Sequence, residues 1–203
     1  MQRVPATVAT IADQGCAAMS QPGDQIDNPR TGQRMIFRST GTDTDGEVLR
    51  IECFNSPHGP KEPEHVHPRQ ESRFEILAGS VLFNINGQER HARPGEVVTI
   101  PAGVPHYFWN GGDEEAQYVQ EFRPALQSDR FFETLFGLAR DGKLNPTGYP
   151  NLLQIAVSAP AFADEIRLTR PPWLVQRVVC AVLAPIARLR GYRAIYPQYS
   201  RTR

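Results

Sequence analysis

GEVVTIPAGVPHYFWN, residues 95–110, decides the architecture. Val97, Val98, Thr99 and Ile100 are β-branched, which suits a pleated strand. The following PAGVP supplies turn chemistry: two prolines that cannot donate to a ladder and a glycine free to adopt positive φ. His106-Tyr107-Phe108-Trp109 then resumes a strand-forming run, so the stretch reads as strand, tight connection, strand. Alternation turns only one set of Tyr107, Phe108 and Trp109 inward, and the plain expectation for that set is core packing.

Outward from this stretch the same grammar repeats. MIFRS (35–39), EVLRIECF (47–54), RFEIL (73–77), SVLFNIN (80–86) and AQYVQEF (116–122) are short period-2 runs separated by turn residues. In EVLRIECF, Leu49, Ile51 and Cys53 share one face while Arg50 and Glu52 share the other. TDTDG and SPHGPKEPE are loop chemistry, and Asn86-Gly87 predicts a tight hairpin because a type I′ turn needs positive φ at both central residues. Many short strands at regular spacing predict a mainly β sandwich or barrel of antiparallel strands over residues 34–124.

After Pro124 the periodicity becomes helical. SDRFFETLFGLARDG predicts a helix with Ser128 or Asp129 at its N-cap, Phe131, Leu135 and Leu138 on one face, and Gly142 just past its end. NLLQIAVSAPAFADEI is a second helical stretch, and PPWLVQRVVCAVLAPIARLRGYR a third, opening on proline and interrupted at Pro185. The expected organisation is an N-terminal arm (1–33), a barrel (34–124) and a helical extension (125–203). The third helix is apolar, with Arg177, Arg188, Arg190 and Arg193 beside it, which invites an interfacial membrane reading. Gln176 and Arg177 interrupt it, however, and its length suits docking on the barrel or on a second subunit, so packing or dimerisation is the expectation.

Composition excludes several classes. Lys and Arg number 22, as do Asp and Glu, so the net charge is zero and the phosphate-binding footprint of a nucleic-acid partner is missing. The three cysteines, Cys16, Cys53 and Cys180, are odd in number and far apart, as free thiols in a reducing compartment would be. MQRVPATVATIADQG lacks the apolar core of a signal peptide, and no run approaches the roughly 18 apolar residues of a membrane span. A cytoplasmic protein is expected.

Chemistry concentrates in three histidines. His65 and His67 stand at i and i+2, so on a strand both turn to one side about 6.5–7 Å apart and can converge on one ion at about 2.1 Å. A returning strand could bring His106 to a third side. His58 and His91 have no partner at ligand spacing and are expected to be ordinary hydrogen-bonded side chains. Glu121 is expected to be a surface charge, with a role in orienting a ligand histidine as the alternative. Arg73 and Arg123 either attract an anionic substrate or are solvated.

These residues resemble the paired signature of the cupin superfamily. Residues 95–110 fit G-x5-P-x-G-x2-H-x3-N through Gly95, Pro101, Gly103, His106 and Asn110. GPKEPEHVHPRQESRFEILAG, residues 59–79, resembles G-x5-H-x-H-x3,4-E-x6-G through Gly59, His65, His67 and Gly79, but Ser72 stands where the pattern has glutamate. The resemblance covers about residues 34–124 and implies a single-domain double-stranded β-helix with its site at the mouth between the sheets. The helical tail is similar to those of uncharacterised bacterial cupin proteins. If the strand from Ser72 to Ile76 is regular, Ser72, Phe74 and Ile76 face inward and Glu71 outward, unless a bulge re-aims it. The metal set is therefore His65, His67 and His106, with Glu71 as a possible displaced fourth ligand.

Members of this superfamily do many things, so only the site can decide function. The leading expectation is a non-haem oxygenase acting on a small organic molecule with Fe(II); no residue is singled out as catalytic, and no organic cofactor is expected. With Zn, Mn or Ni the same centre would serve a redox-neutral isomerase or cyclase, polyketide cyclase-like chemistry included. From another class comes a non-catalytic binding protein whose metal is lost or structural, to be recognised by thermal stability that ignores chelators. A homodimer is expected, because the apolar tail and the sheet edges both need covering.

Overall fold

The computed structural model describes residues 20–200; Cys16 and the N-terminal stretch read for targeting signals lie outside them. Along the chain come β1 (Gln25–Asn28), β2 (Gln33–Ser39), β3 (Leu49–Asn55), β4 (His65–Val66), β5 (Glu71–Ala78), β6 (Val81–Ile85), β7 (Gln88–Ala92), β8 (Val97–Ile100), β9 (His106–Trp109) and β10 (Ala116–Arg123). There follow α1 (Ser128–Arg140), α2 (Leu152–Ala161), β11 (Arg167–Leu168) and α3 (Trp173–Leu189). The strands form two antiparallel sheets in the orders β1-β2-β3-β10-β5-β8 and β11-β4-β9-β6-β7. The fold is mainly β, followed by helices.

Alternation fills the space between the sheets. Leu49, Ile51 and Cys53 of β3 are fully buried, as are Ser72, Phe74 and Ile76 of β5. In β10, Tyr118, Gln120 and Phe122 stand opposite Ile76, Phe74 and Ser72, so both strands turn the same set inward. Phe74 lies edge-on to Phe83 and to Phe108, each at 5.0 Å between ring centroids, a favoured aromatic geometry. Tyr107 and Trp109, on the opposite side of β9 from Phe108, stack on each other at 5.7 Å. Cys53 is a free thiol whose pKa burial drives upward, an inert core residue; Cys180 is also free.

Two tight turns test the local backbone. Asn86 and Gly87 both have positive φ, 51° and 80°, and β6 pairs directly with β7 through Ile85 and Gln88. Gly79, between β5 and β6, has φ of 65°, and a Cβ there would lie 2.5 Å from the Glu115 carbonyl oxygen. Gly79→Ala is therefore expected to cost about 2 kcal/mol or more, combining left-handed strain with a backbone clash. Gly87→Ala meets nothing within 4 Å and should cost about 1 kcal/mol for the φ alone. Urea midpoints of the two variants measure the difference.

The helices depart from expectation in identifiable ways. Gln127, not Ser128 or Asp129, is the N-cap of α1, because the Ser128 hydroxyl is engaged with the Gln70 side chain while Gln127 N–H donates to Glu165 Oε1. Asn151 caps α2 by accepting from Gln154 N–H at 3.0 Å. Pro185 does not interrupt α3: the proline removes a hydrogen bond to the carbonyl four residues back, Ala181, which sits on an exposed turn. Two strands come from outside the expected barrel: β1 pairs with β2, and β11 from the extension pairs with β4. No helix among the described residues is long and apolar enough to cross a membrane.

Candidate metal centre

β4 and β9 lie antiparallel with His65 opposite His106, so both histidines leave the sheet on the same side. His67, two residues on from His65, turns its ring to the same point. The three ring centroids are 4.5, 5.0 and 5.2 Å apart, and one ligand nitrogen from each ring lies within 4.8 Å of the others. All three residues are buried. Among the described residues this is the one cluster able to hold a metal ion, and it contains no carboxylate.

Every one of these rings is oriented by a backbone carbonyl. Nδ1 of His65 lies 2.9 Å from the Pro63 oxygen, Nδ1 of His106 lies 2.9 Å from the Val104 oxygen, and Nδ1 of His67 lies 2.6 Å from the Glu165 oxygen. A carbonyl only accepts, so each Nδ1 carries the proton and each Nε2 presents a lone pair. Nε2 of His106 is buried and makes no hydrogen bond within the chain. A polar atom in that state is costly unless something coordinates it. Burial holds all three imidazoles neutral, reinforced for His65 and His67 by neighbouring imidazole charge: His65 falls well below its usual range, His67 to about 4, and His106 downward. Three neutral nitrogen donors facing one point fit a divalent transition metal.

The acidic position resolves by strand phase. Ser72 is fully buried on the inner face of β5, with its hydroxyl 3.5 Å from Gln120 Nε2. Glu71 is exposed at the start of β5, opposite Arg123, on the outer face. Glu121, expected as a surface charge, is instead buried on that outer face among Arg50, Arg73 and Arg123, at 3.5, 3.9 and 3.3 Å, and touches no ligand histidine. His58 pairs with Asp113 at 3.1 Å, and His91 is exposed on β7.

A cavity of about 390 Å³ opens beside His65 and His67, between the barrel and the helical extension. Apolar side chains from both parts line it, among them Met35, Phe122, Phe132, Ile155 and Phe162. Its polar wall carries Gln33, Asn55, Glu62 and Gln120, none of which the sequence patterns single out. Burial raises the Glu62 carboxyl to about 8, with the Gln33 side chain pulling it part of the way back. Glu62 sits in a proline-flanked loop, where no periodicity marks the inward direction.

These shifts set the pH dependence of the metal-free protein. The histidines have folded pKa values below their unfolded value of 6.5, so their contribution is present above pH 6.5 and declines as pH falls below it, that of His67 being lost through about 4. Glu62 has the opposite sign: raised from 4.5 to about 8, it contributes below pH 4.5 and that contribution is lost as pH rises through about 8. Urea midpoints are expected to decline on both sides of about pH 6.5, and Glu62→Gln should flatten the alkaline decline while steepening the acid one, because the Glu62 loss already begins above pH 4.5.

The profile of the cupin domain family matches residues 54–120. The chain is 26% identical over 160 residues to the probable oxidoreductase virH of Hypocrea virens, covering 72% of this chain and 70% of that one. It is 34% identical over 106 residues to oxalate oxidase GF-3.8 of Triticum aestivum, covering 48% of this chain and 46% of that protein, so it spans about half the length of that relative. Among solved structures, the predicted oxalate decarboxylase of Thermotoga maritima superposes with a TM-score of 0.45 at 19% identity, over 50% of this chain and 90% of that one.

Proposed function

Because residues 54–120 make this chain a cupin-domain protein, we propose that it is a metal-dependent oxidoreductase, an oxygenase acting on a small organic molecule at a three-histidine iron centre. The observation that carries the reading is the set of three buried imidazoles, each fixed by a carbonyl at Nδ1 and turned with Nε2 toward one point. Similarity to a probable oxidoreductase and to an oxalate oxidase supports the redox class. Ferrous iron held by His65, His67 and His106 would mediate the passage of electrons from the substrate, which is oxidised, to dioxygen, which is reduced.

The protein's own groups do the rest. His65, His67 and His106 contribute no charge, and Ser72 adds none where a carboxylate would, so the centre offers its full positive charge to an anionic or enolate-like substrate oxygen. The aromatic and aliphatic wall excludes water and strengthens that attraction. Glu62, on the polar side of the same cavity, holds a proton through neutral pH and can donate a hydrogen bond to a second substrate oxygen.

Protein purified without chelators, then loaded with iron, zinc, manganese or nickel, is the test. About one metal per chain is expected, with oxygen uptake on small carboxylate or enolisable substrates in the iron form alone. Turnover without oxygen uptake in the zinc or manganese form would make the centre a redox-neutral isomerase or cyclase. A chain that gains no thermal stability from any of these metals would be a binding protein without a working centre.

A further inference from the structure

The third helix is only partly used by the fold. Cys180, Ala184 and Ala187 face the rest of the chain, the two alanines in one small cluster with Val157 of α2. The other side is apolar and open: seven of the eleven exposed large apolar side chains among the described residues belong to α3. Leu174, Val178, Val182 and Leu189 run along its centre, exposed by 70, 57, 64 and 89%. A patch of this size on a protein surface marks contact with something else.

Charge identifies the partner. From Arg167 to Arg203 the sequence holds eight arginines, no lysine and no acidic residue, although the whole chain is neutral. At about 100° per residue, Arg177 and Arg188 fall on one margin of the apolar arc and Arg190 on the other. None of the three pairs with a carboxylate among the described residues. A second copy docked through this face about a two-fold axis would set arginines against arginines, a costly juxtaposition. A groove on an acidic protein would take a narrow apolar stripe, whereas here the apolar arc is broad and convex, with cations on both flanks whose stems can reach sideways and upward. At 17 residues α3 is about 25 Å long, suited to lying along a bilayer surface.

We propose that α3 is a surface anchor for an anionic phospholipid bilayer, its aliphatic face against the acyl chains and Arg177, Arg188 and Arg190 among the phosphates. This anchor lies apart from the metal centre, and vesicle binding is read without any activity. The full chain is sedimented with vesicles of phosphatidylcholine alone or mixed with phosphatidylglycerol, at low and high salt. Binding should require phosphatidylglycerol and weaken with salt. The R177Q/R188Q/R190Q variant should bind roughly a hundredfold more weakly. V178E/V182E should lose binding while keeping the wild-type melting temperature, since both valines already face solvent. Absence of binding to mixed vesicles overturns the proposal, as does full binding by either variant. A wild-type dimer in light scattering that V178E/V182E converts to monomer would assign the face to a second copy and also overturn it.

Discussion

His106→Ala is expected to lower metal affinity by at least a hundredfold while leaving the fold in place. Shared evenly among four ligands, the roughly 10–16 kcal/mol of a structural metal site gives about 2.5–4 kcal/mol per ligand, and a centre with only three ligands depends on each of them more heavily. The stability of the metal-free protein should change little, because two effects oppose. Removing the ring leaves a small cavity, but it also removes a buried Nε2 that has no hydrogen-bond partner in the chain. Elemental analysis together with melting curves, with and without chelator, checks both halves. The wild type should melt lower after chelation and the variant should not respond. Stoichiometric metal retained by His106→Ala would place the ion elsewhere.

Ser72→Glu is expected to reverse the balance. The serine is fully buried on the inner face of β5, and its neighbour Gln120 offers one long contact at 3.5 Å. A carboxylate introduced there has no countercharge in the metal-free protein and should destabilise it by about 4 kcal/mol, the scale for an unpaired buried charge. A divalent ion at the histidines would supply the missing partner, so metal should restore stability and bind more tightly than in the wild type. Urea denaturation of the apo and loaded forms measures this. A loss that metal does not rescue would mean that position 72 looks away from the centre.

Side-chain chemistry was legible in the sequence wherever it repeats at strand period. The i, i+2 pair His65 and His67 and the separate histidine at 106 announce three donors, and alternation through Phe74 and Ile76 puts Ser72 inside and Glu71 outside, as the burial of β5 shows. Strand β7, QERHA, carries no such signal because four of its five residues are exposed, leaving no face to alternate against. Glu62 reaches the cavity from a loop, and loops have no period. The carbonyl that fixes His67 is a backbone atom 98 residues away, which no side-chain pattern can encode. Pro185 misleads for a different reason: helix propensity penalises it, but on an exposed turn of a helix already held by packing the penalty is absorbed.

That carbonyl has a consequence for how the protein comes into being. While a ribosome is still making the chain, His65 and His67 emerge long before Glu165, and β4 waits equally long for β11. Long-range closures of this kind are slow to form. Until they do, the imidazole of His67 is free to rotate and to take either tautomer. If the proposed centre holds its ion through all three rings, the complete donor set exists only at the last stage of maturation, when the extension has closed on the barrel.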